Sequence, residues 1–521
     1  MDTPAFNAAD RIDPRRMIAF MAMCFGMFMA FLDIQIVSAS LSEIQAGLAA
    51  SGDEIPWVQT AYLIAEVVAI PLSGFLSRAL GTRTLFAASC AGFTLASFMC
   101  GLSSSIGSMI VWRAIQGFIG GGMIPTVFAA AYTIFPKSRQ NMITPIIGLI
   151  ATLAPTIGPT VGGYLTEALS WHWLFFINII PGVAVTVAAL TLIDFDKPDY
   201  ALLDHFDWWG LIAMAGFLGA LEYVLEEGPR NDWLQDETIA YATIVSALSA
   251  VAFFYRALTA RAPIVDLRAF SNRNFALGSM FSFVLGIGLY GLTYLYPVYL
   301  AQVRGYNSLM IGETMFVSGL AMFFSAPVVG RLAAKFDPRF MLIGGFLLFA
   351  LGTFDMHYLT KDWDFWELFV PQILRGVGLM FAMVPVTNVA LGTLSPDRLK
   401  NASGLFNLMR NLGGAIGLAA LNTVLNDRMD LHLTRLHETV NWSRGSATEM
   451  LANLTARFQD FGSNAEAMAL KQMSLMVRRE ATVMSFSDVF LLLTVLFVGL
   501  AVLGIVMKRP AAPAGAPAEA H

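Results

Sequence analysis

The chain has 521 residues, of which 56% are hydrophobic and only 13% charged, with a mean hydropathy of +0.64 and a formal net charge of −5. A soluble domain carries about 25% charged residues, so this composition excludes a water-soluble globular protein. The three cysteines, Cys24, Cys90 and Cys100, fall inside apolar runs and form no C-x-x-C pair. They read as small packing residues, and nothing points to a disulfide scaffold.

The apolar residues gather into runs of roughly 20, the length a helix needs to cross about 30 Å of hydrocarbon. In chain order they occupy 17–38, 57–77, 84–103, 107–130, 142–166, 174–193, 208–226, 238–255, 276–300, 311–330, 340–359, 366–391, 402–424 and 485–507. Fourteen runs predict an all-α membrane protein with no room for a large soluble domain. The first run is too long for a signal-peptide core and lacks a small-residue cleavage pattern. Because the runs are continuous rather than alternating, a β-barrel is excluded.

Lysine and arginine in short loops set orientation. Nineteen of them, running from Arg11 and Arg15 through Arg78, Arg83, Lys137, Lys197, Arg256, Arg331 and Lys400 to Arg509, fall on one side. Short loops of the other side hold only Arg230, Arg304 and Lys361. That asymmetry supports fourteen spans and predicts both termini in the cytoplasm. The acidic run Asp194, Asp196, Asp199, Asp204 and Asp207 lacks the glycine-turned loop of a calcium site and reads as a solvated linker. No metal site is expected. The terminal stretch 510–521, PAAPAGAPAEAH, has the composition of a disordered tail.

Two related halves are visible inside the sequence. After the second run comes Gly74-Phe-Leu-Ser-Arg78-Ala-Leu-Gly81-Thr-Arg83, and at the matching point after the tenth comes Gly330-Arg331-Leu-Ala-Ala-Lys335-Phe-Asp-Pro-Arg339. The fourth run carries Arg113-Ala-Ile-Gln116-Gly117, and the twelfth carries Arg375-Gly376-Val-Gly378. The expected organisation is a cytoplasmic N-terminus (1–16), a six-helix bundle (17–193), two linker helices (208–255), and a second six-helix bundle (276–507). The second bundle carries a helical loop (425–484) on the outer side, and a cytoplasmic tail (508–521) follows it.

These residues resemble a known family. Phe31-Leu-Asp33-Ile-Gln-Ile-Val37, the Gly74–Arg83 turn, Arg113–Gly122, and Ala154-Pro155-Thr-Ile-Gly158-Pro159-Thr-Val-Gly162-Gly163 are similar to the motifs of the major facilitator superfamily. So is Ala402-Ser-Gly404-Leu-Phe-Asn407-Leu-Met-Arg410-Asn411-Leu-Gly413-Gly414. The match is to its fourteen-helix drug:proton antiporters of the EmrB/QacA type, and it spans 15–507. The resemblance implies two pseudo-repeat bundles plus two inserted helices, and export of drugs or other amphipathic molecules in exchange for protons. An endogenous metabolite such as a siderophore or fatty acid is the alternative cargo. It also implies a periplasmic adaptor protein and an outer-membrane channel of the TolC type as partners. One departure is visible: Arg78 stands where the family's turn carries an acid, which puts an inner-side charge latch through that residue in question.

Charges inside hydrocarbon cost several kcal/mol and mark functional candidates. Asp33 and Arg113 each lie roughly 8 Å below the outer boundary, counted at 1.5 Å per residue, so they can pair; Glu66 is somewhat deeper. Burial and a nearby guanidinium act in opposite directions on an acid's hold on its proton. These three residues are therefore the candidates for proton coupling. The rival reading is a static pair locking two helices, with Glu66 in a structural hydrogen bond. Glu222 and Asp355, near the outer edge, are candidates for the substrate cavity or its gating, or could simply be wet. Arg375, another such candidate, is too deep to reach water easily and is expected to face the cavity or an acid. Asn407, Arg410 and Asn411 share one helical face, lining the substrate path or gluing helices together. Along the fifth run, Ala154, Gly158 and Gly162 recur every four residues and let a neighbouring backbone approach. Pro155 and Pro159 remove backbone donors and bend the helix, and Gly163 completes the motif. The loop 425–484 serves either adaptor docking or as a lid. No phosphate-binding G-x-x-x-x-G-K-[ST] loop occurs, so the driver is an ion gradient, with no cofactor. The six histidines are scattered, no G-x-S-x-G or H-E-x-x-H occurs, and neither an enzyme nor a nucleic-acid partner is expected.

Overall fold

The computed structural model describes residues 13–260 and 262–506. Arg11, Arg261, Lys508, Arg509 and the expected disordered tail lie outside them, as do the side chains of Lys137, Arg139 and Pro155. The described chain contains no strand. Its helices are α1 (Pro14–Ala39), α2 (Leu41–Leu48), α3 (Trp57–Leu80), α4 (Thr82–Gly101), α5 (Ile106–Gly120), α6 (Met123–Ile134), α7 (Lys137–Ala168), α8 (Trp173–Phe176) and α9 (Ile179–Leu192). They continue with α10 (Trp208–Glu227), α11 (Glu237–Thr259), α12 (Arg273–Tyr299), α13 (Ser308–Ala333), α14 (Pro338–Met356), α15 (Phe365–Leu391), α16 (Pro396–Thr439), α17 (Gly445–Arg457) and α18 (Ala465–Val506).

Local chemistry sets the ends of these elements. Asp13 caps α1 by accepting from the Arg15 N–H at 3.0 Å, with Pro14 in the first turn, where its missing N–H costs nothing. Asp364 and Glu367 close a reciprocal capping box at the start of α15. At the end of α12 the chain winds through a π-helical turn, Leu300–Arg304, and stops at Gly305, whose φ of +70° suits a residue without Cβ.

Thirteen described segments are long and apolar enough to cross a membrane. The fifth predicted run falls within α7, a 32-residue helix whose described apolar stretch is only Met142–Ala151. The run at 107–130 is two helices, α5 and α6, separated at Gly121 and Gly122. A Cβ at Gly121 would lie 3.0 Å from the Glu66 carbonyl oxygen, so the chain passes here where side chains do not fit. The run at 174–193 is likewise divided, at Ile177 and Asn178. The helical loop expected at 425–484 is built on the two helices that flank it. α16 runs unbroken to Thr439 and α18 starts at Ala465, so both project beyond their apolar stretches as single rods, with α17 packed on α18 through Leu451, Leu454, Phe458 and Ala469.

Helix pairing repeats along the chain. The pairs α1–α7, α3–α5 and α4–α9 have counterparts in α12–α16, α13–α15 and α14–α18. The two sets meet where α7 packs on α13 and α15, and where α16 packs on α3 and α6. α10 and α11 form a hairpin whose α10 lies against α3 and α16. α11 turns Tyr241, Leu248, Val251 and Leu258 outward, each about two-thirds exposed, as a helix facing hydrocarbon does. The basic loops gather at one face: Arg15 donates to the Thr191 carbonyl, the Asp199 N–H donates to the Arg78 carbonyl, and Lys400 donates to the Ser77 carbonyl. At the opposite face Arg304 and Arg479 both donate to the Lys361 carbonyl, and Lys361 pairs with Glu480.

Glycine sets the closest helix contacts. A Cβ at Gly413 would sit 1.8 Å from the Phe283 carbonyl oxygen, and one at Gly286 would sit 2.0 Å from the Arg410 carbonyl oxygen. Gly413→Ala is expected to force α12 and α16 apart and destabilise the protein by about 1–3 kcal/mol. Gly344→Ala, which meets open space, is expected to leave stability unchanged. Thermal unfolding of the purified protein in detergent separates the two outcomes.

Candidate functional site

The most completely enclosed charges of the described chain are Asp33 on α1 and Arg113 on α5, both with no solvent exposure. Arg113 Nη1 lies 2.6 Å from Asp33 Oδ2, and Arg113 Nε donates to the Val58 carbonyl at 3.1 Å. Asp33 Oδ1 accepts from Gln116 Nε2 at 3.0 Å and from Asn178 Nδ2 at 2.8 Å. Asn178 stands at the break before α9 and also donates to Ser97 Oγ, which in turn donates to the Phe175 carbonyl. The guanidinium carbon of Arg113 sits 4.3 Å from the centre of the Tyr62 ring, within cation–π range. Three N–H donors thus occupy the Asp33 carboxylate, whereas Arg113 Nη2 is left without a partner.

Glu66, on α3, differs in kind. It is 3% exposed, Oε1 has no partner, and no hydrogen bond among the described residues reaches the carboxyl group. It lies within electrostatic reach of Arg113, Arg410 and Asp33 without forming an ion pair with either arginine. The structural hydrogen bond considered for it is not made.

On α16 the polar stripe ties helices together and borders a small void. Asn411 accepts from the Tyr290 hydroxyl at 3.2 Å and so ties α16 to α12. Arg410 Nη2 donates to Asn407 Oδ1 at 2.6 Å, while Nε and Nη1 find no partner. Arg410 faces the Phe128 ring at 5.3 Å and borders a small void with Ser282, Met383, Thr387 and Phe406. Arg375, on α15, is 3% exposed; it donates to Thr293 Oγ1 at 2.5 Å, and Nη1 is unpaired. A buried charge without a counter-ion costs several kcal/mol even after relaxation. Glu222 is buried, at 7% exposure, rather than wet, because α10 presses it toward α3; Asp355 is half-buried.

The α7 motif packs mainly on α1. A Cβ at Gly158 would lie 2.4 Å from Gln35 Cβ, and one at Gly162 would lie 2.9 Å from the Ile36 carbonyl oxygen. α7 stays helical through Pro155 and Pro159, with Pro159 and Gly163 half-buried. Thr160 meets Gly312 of α13 on another side of the helix.

At the basic face, Gly74 lets α16 cross α3: a Cβ there would meet the Lys400 carbonyl oxygen at 2.8 Å. Gly81 adopts φ +79°, Arg83 is exposed, and Arg78 lies over Phe75. The acid missing from this turn is supplied from elsewhere. Asp196 accepts from the Thr82 N–H at 3.1 Å and the Thr82 hydroxyl at 2.8 Å, and pairs with Lys400 of α16. Reading the 194–207 acids as a solvated linker is therefore wrong for Asp196, and for Asp207, which is buried and pairs with Arg256 at 2.6 Å. A second tie joins Tyr132 of α6 and Thr144 of α7 to Asn388 of α15, at 2.8 and 2.7 Å. Sequence reasoning missed Gln116, Asn178, Tyr62, Asp196 and Lys400. Gln116 was within reach, being three residues after Arg113 on the same helical face.

Residues 23–418 match the Major Facilitator Superfamily. The chain belongs to that superfamily. It is 44% identical over 490 residues to the colistin resistance protein EmrB of Acinetobacter baumannii, covering 94% of this chain and 96% of that one. It is 28% identical over 497 residues to the fatty acid resistance protein FarB of Neisseria gonorrhoeae, covering 95% and 96%. The human organic anion transporter MFSD10 shares the fold, with a TM-score of 0.57 at 14% identity over 93% of this chain and 100% of that one. This superfamily member is thus an EmrB-type, multi-pass membrane transporter and not an enzyme.

In the transporter, Asp33→Asn leaves the Arg113 charge buried without its counter-ion, which is expected to cost about 3–5 kcal/mol. Replacing both, as Asp33→Asn with Arg113→Met, is expected to recover most of that loss. Melting temperatures of the three purified proteins test the coupling.

Proposed function

We propose that the transporter exports drugs or other amphipathic small molecules in exchange for protons, with Glu66 as the proton-exchanging group and Asp33–Arg113 as the fixed charge pair beside it. The observation that carries this reading is the contrast between two buried acids. The Asp33 carboxylate is held by three N–H donors, whereas Glu66 has none. A carboxyl group with no bonded partner can gain or lose a proton without dismantling a network. Arg113 and Arg410 both act on it, so a shift of either arginine between alternately opened forms changes how firmly Glu66 holds its proton. A membrane potential supplies about 2.3 kcal/mol per charge per 100 mV. That sustains roughly a 50-fold solute gradient per proton, since about 1.4 kcal/mol is tenfold.

The basic face is the cytoplasmic one in this reading, and the membrane is a Gram-negative inner membrane. The projecting ends of α16 and α18, with α17, then stand in the periplasm. They offer exposed Trp442, Phe461 and Leu475 to an adaptor protein that continues to an outer-membrane channel of the TolC type. With Glu66→Gln, pH-gradient-driven export in proteoliposomes is expected to fall by about 100-fold or more, the scale of losing a proton-transfer group. Undiminished export by Glu66→Gln would refute the assignment. Asp33→Asn, measured alongside and corrected for folded protein, is expected to fall as well.

Arg410 favours a second cargo, an acid with an apolar tail such as a fatty acid, because its unpaired N–H groups border an apolar void. A panel of decanoate, decanol and decyltrimethylammonium in an efflux-deficient host separates the readings. Protection against decanoate alone, lost in Arg410→Met, supports the acidic cargo. Protection against the cation alone supports a cationic drug exporter.

A further inference from the structure

The hairpin α10–α11 lies between the two helix sets in sequence and belongs to neither. Its α10 runs from the basic face to the opposite face, antiparallel to α3. The two helices touch at Ile64 and Gly219, where a Cβ on the glycine would lie 3.4 Å from the isoleucine side chain. Glu66 is two residues inward of that contact, and Glu222 is three residues outward. At 1.5 Å rise per residue the two carboxyl-bearing positions are separated by about 7.5 Å along the helix axes. Glu226 follows Glu222 by four residues, one turn and about 6 Å farther out on the same face of α10. Glu66 and Glu222 are buried, while Glu226 is exposed at the opposite face. Three carboxyl groups thus form a ladder from the interior to the surface.

None of the three has a hydrogen bond or an ion pair among the described residues, and Glu66 Oε1 is an enclosed atom with no partner. A structural acid buried on a helix face is ordinarily held by a donor or a cation. The charges that act on Glu222 are those of Glu226 on its own helix and Glu66 on α3; no group of α11 acts on it. From α12, Tyr290 lies within electrostatic reach of Glu66, Glu222 and Arg410 of α16, and its hydroxyl donates to Asn411. The ladder therefore ends beside the group already assigned to proton exchange.

We propose that Glu222 is a second proton-carrying residue of this transporter, passing protons between Glu226 at the face opposite the basic loops and Glu66 in the interior. Each hop moves one proton. It leaves the Glu226 carboxyl group, or the water around it, as the Glu222 carboxylate becomes a carboxyl group. It then leaves Glu222 as the Glu66 carboxylate becomes one. The total charge of the ladder is unchanged by a hop between two of its carboxyl groups, and water bridges the span between them. The inference rests on the reading of Glu66 as a proton site, and it gives α10 the task of connecting that site to water.

Time-resolved infrared spectroscopy after a pH jump tests it without any substrate. The purified transporter in nanodiscs is expected to show a carboxyl band that Glu66→Gln removes, and the rate at which this band grows reports protonation of Glu66. Glu222→Gln is expected to slow that rate by about tenfold or more. Glu222→Asp, which keeps the acid but shortens its reach, is expected to give an intermediate rate and covers the case in which the amide variant does not fold. Growth of the band at the wild-type rate in Glu222→Gln, or in Glu222→Asp if only that variant folds, overturns the proposal while leaving Glu66 in place. A wild-type protein with no titrating band assigned to Glu66 overturns the exchange reading itself and the relay with it.

Discussion

The ion pair between Asp33 and Arg113 is the constraint around which the first helix set is organised. Each charge alone would be costly in a lipid-spanning bundle. Together they are tolerated because Gln116, Asn178, Val58 and the Tyr62 ring complete the surroundings of both. The partners come from α1, α3, α5 and the break between α8 and α9, so one network fixes the mutual position of four segments. That network also defines what is different about Glu66, which sits next to it and shares none of its bonds.

Around this fixed pair the charges fall into three kinds. Asp33 and Arg113 are matched and sealed. Asp196 and Lys400, with Thr82, are matched and bridge the two helix sets at the basic face, where Arg78 has displaced the acid expected in the turn. Glu66, Glu222, Arg375 and Arg410 are buried and unmatched. Matched charges hold one arrangement of helices together. The unmatched ones are spread over α3, α10, α15 and α16. Glu66 stands beside the matched pair of Asp33 and Arg113 without sharing its bonds.

Much of this was legible in the sequence, for physical reasons. Hydrophobic length located the spans, because a helix must cover a fixed thickness of hydrocarbon. Counting rise per residue put Asp33 and Arg113 at one depth, and they pair. Other features were hidden because they depend on chain segments distant in sequence. Asn178 reaches Asp33 from a break that an apolar run conceals, and Asp196 finds Lys400 across 204 residues. The divided α5 and α6 were missed because glycines inside an apolar run raise no flag in hydropathy, yet they mark where backbones approach closely. The unbroken continuation of α16 to Thr439 was missed for the opposite reason. Its sequence turns polar at the membrane boundary, and hydropathy reads that change as an end, while helix propensity carries straight on.

That continuity turns α16 into a lever. About 15 residues of it, from Leu425 to Thr439, stand beyond the apolar stretch, a reach of about 22 Å. His432 joins this rod to Asp488 of α18 at 2.8 Å, tying the two protruding arms together. A rocking of about 10° within the membrane carries the tip through about 4 Å. Any protein seated on that tip would register which way the cavity is open, with no separate signal passing between them.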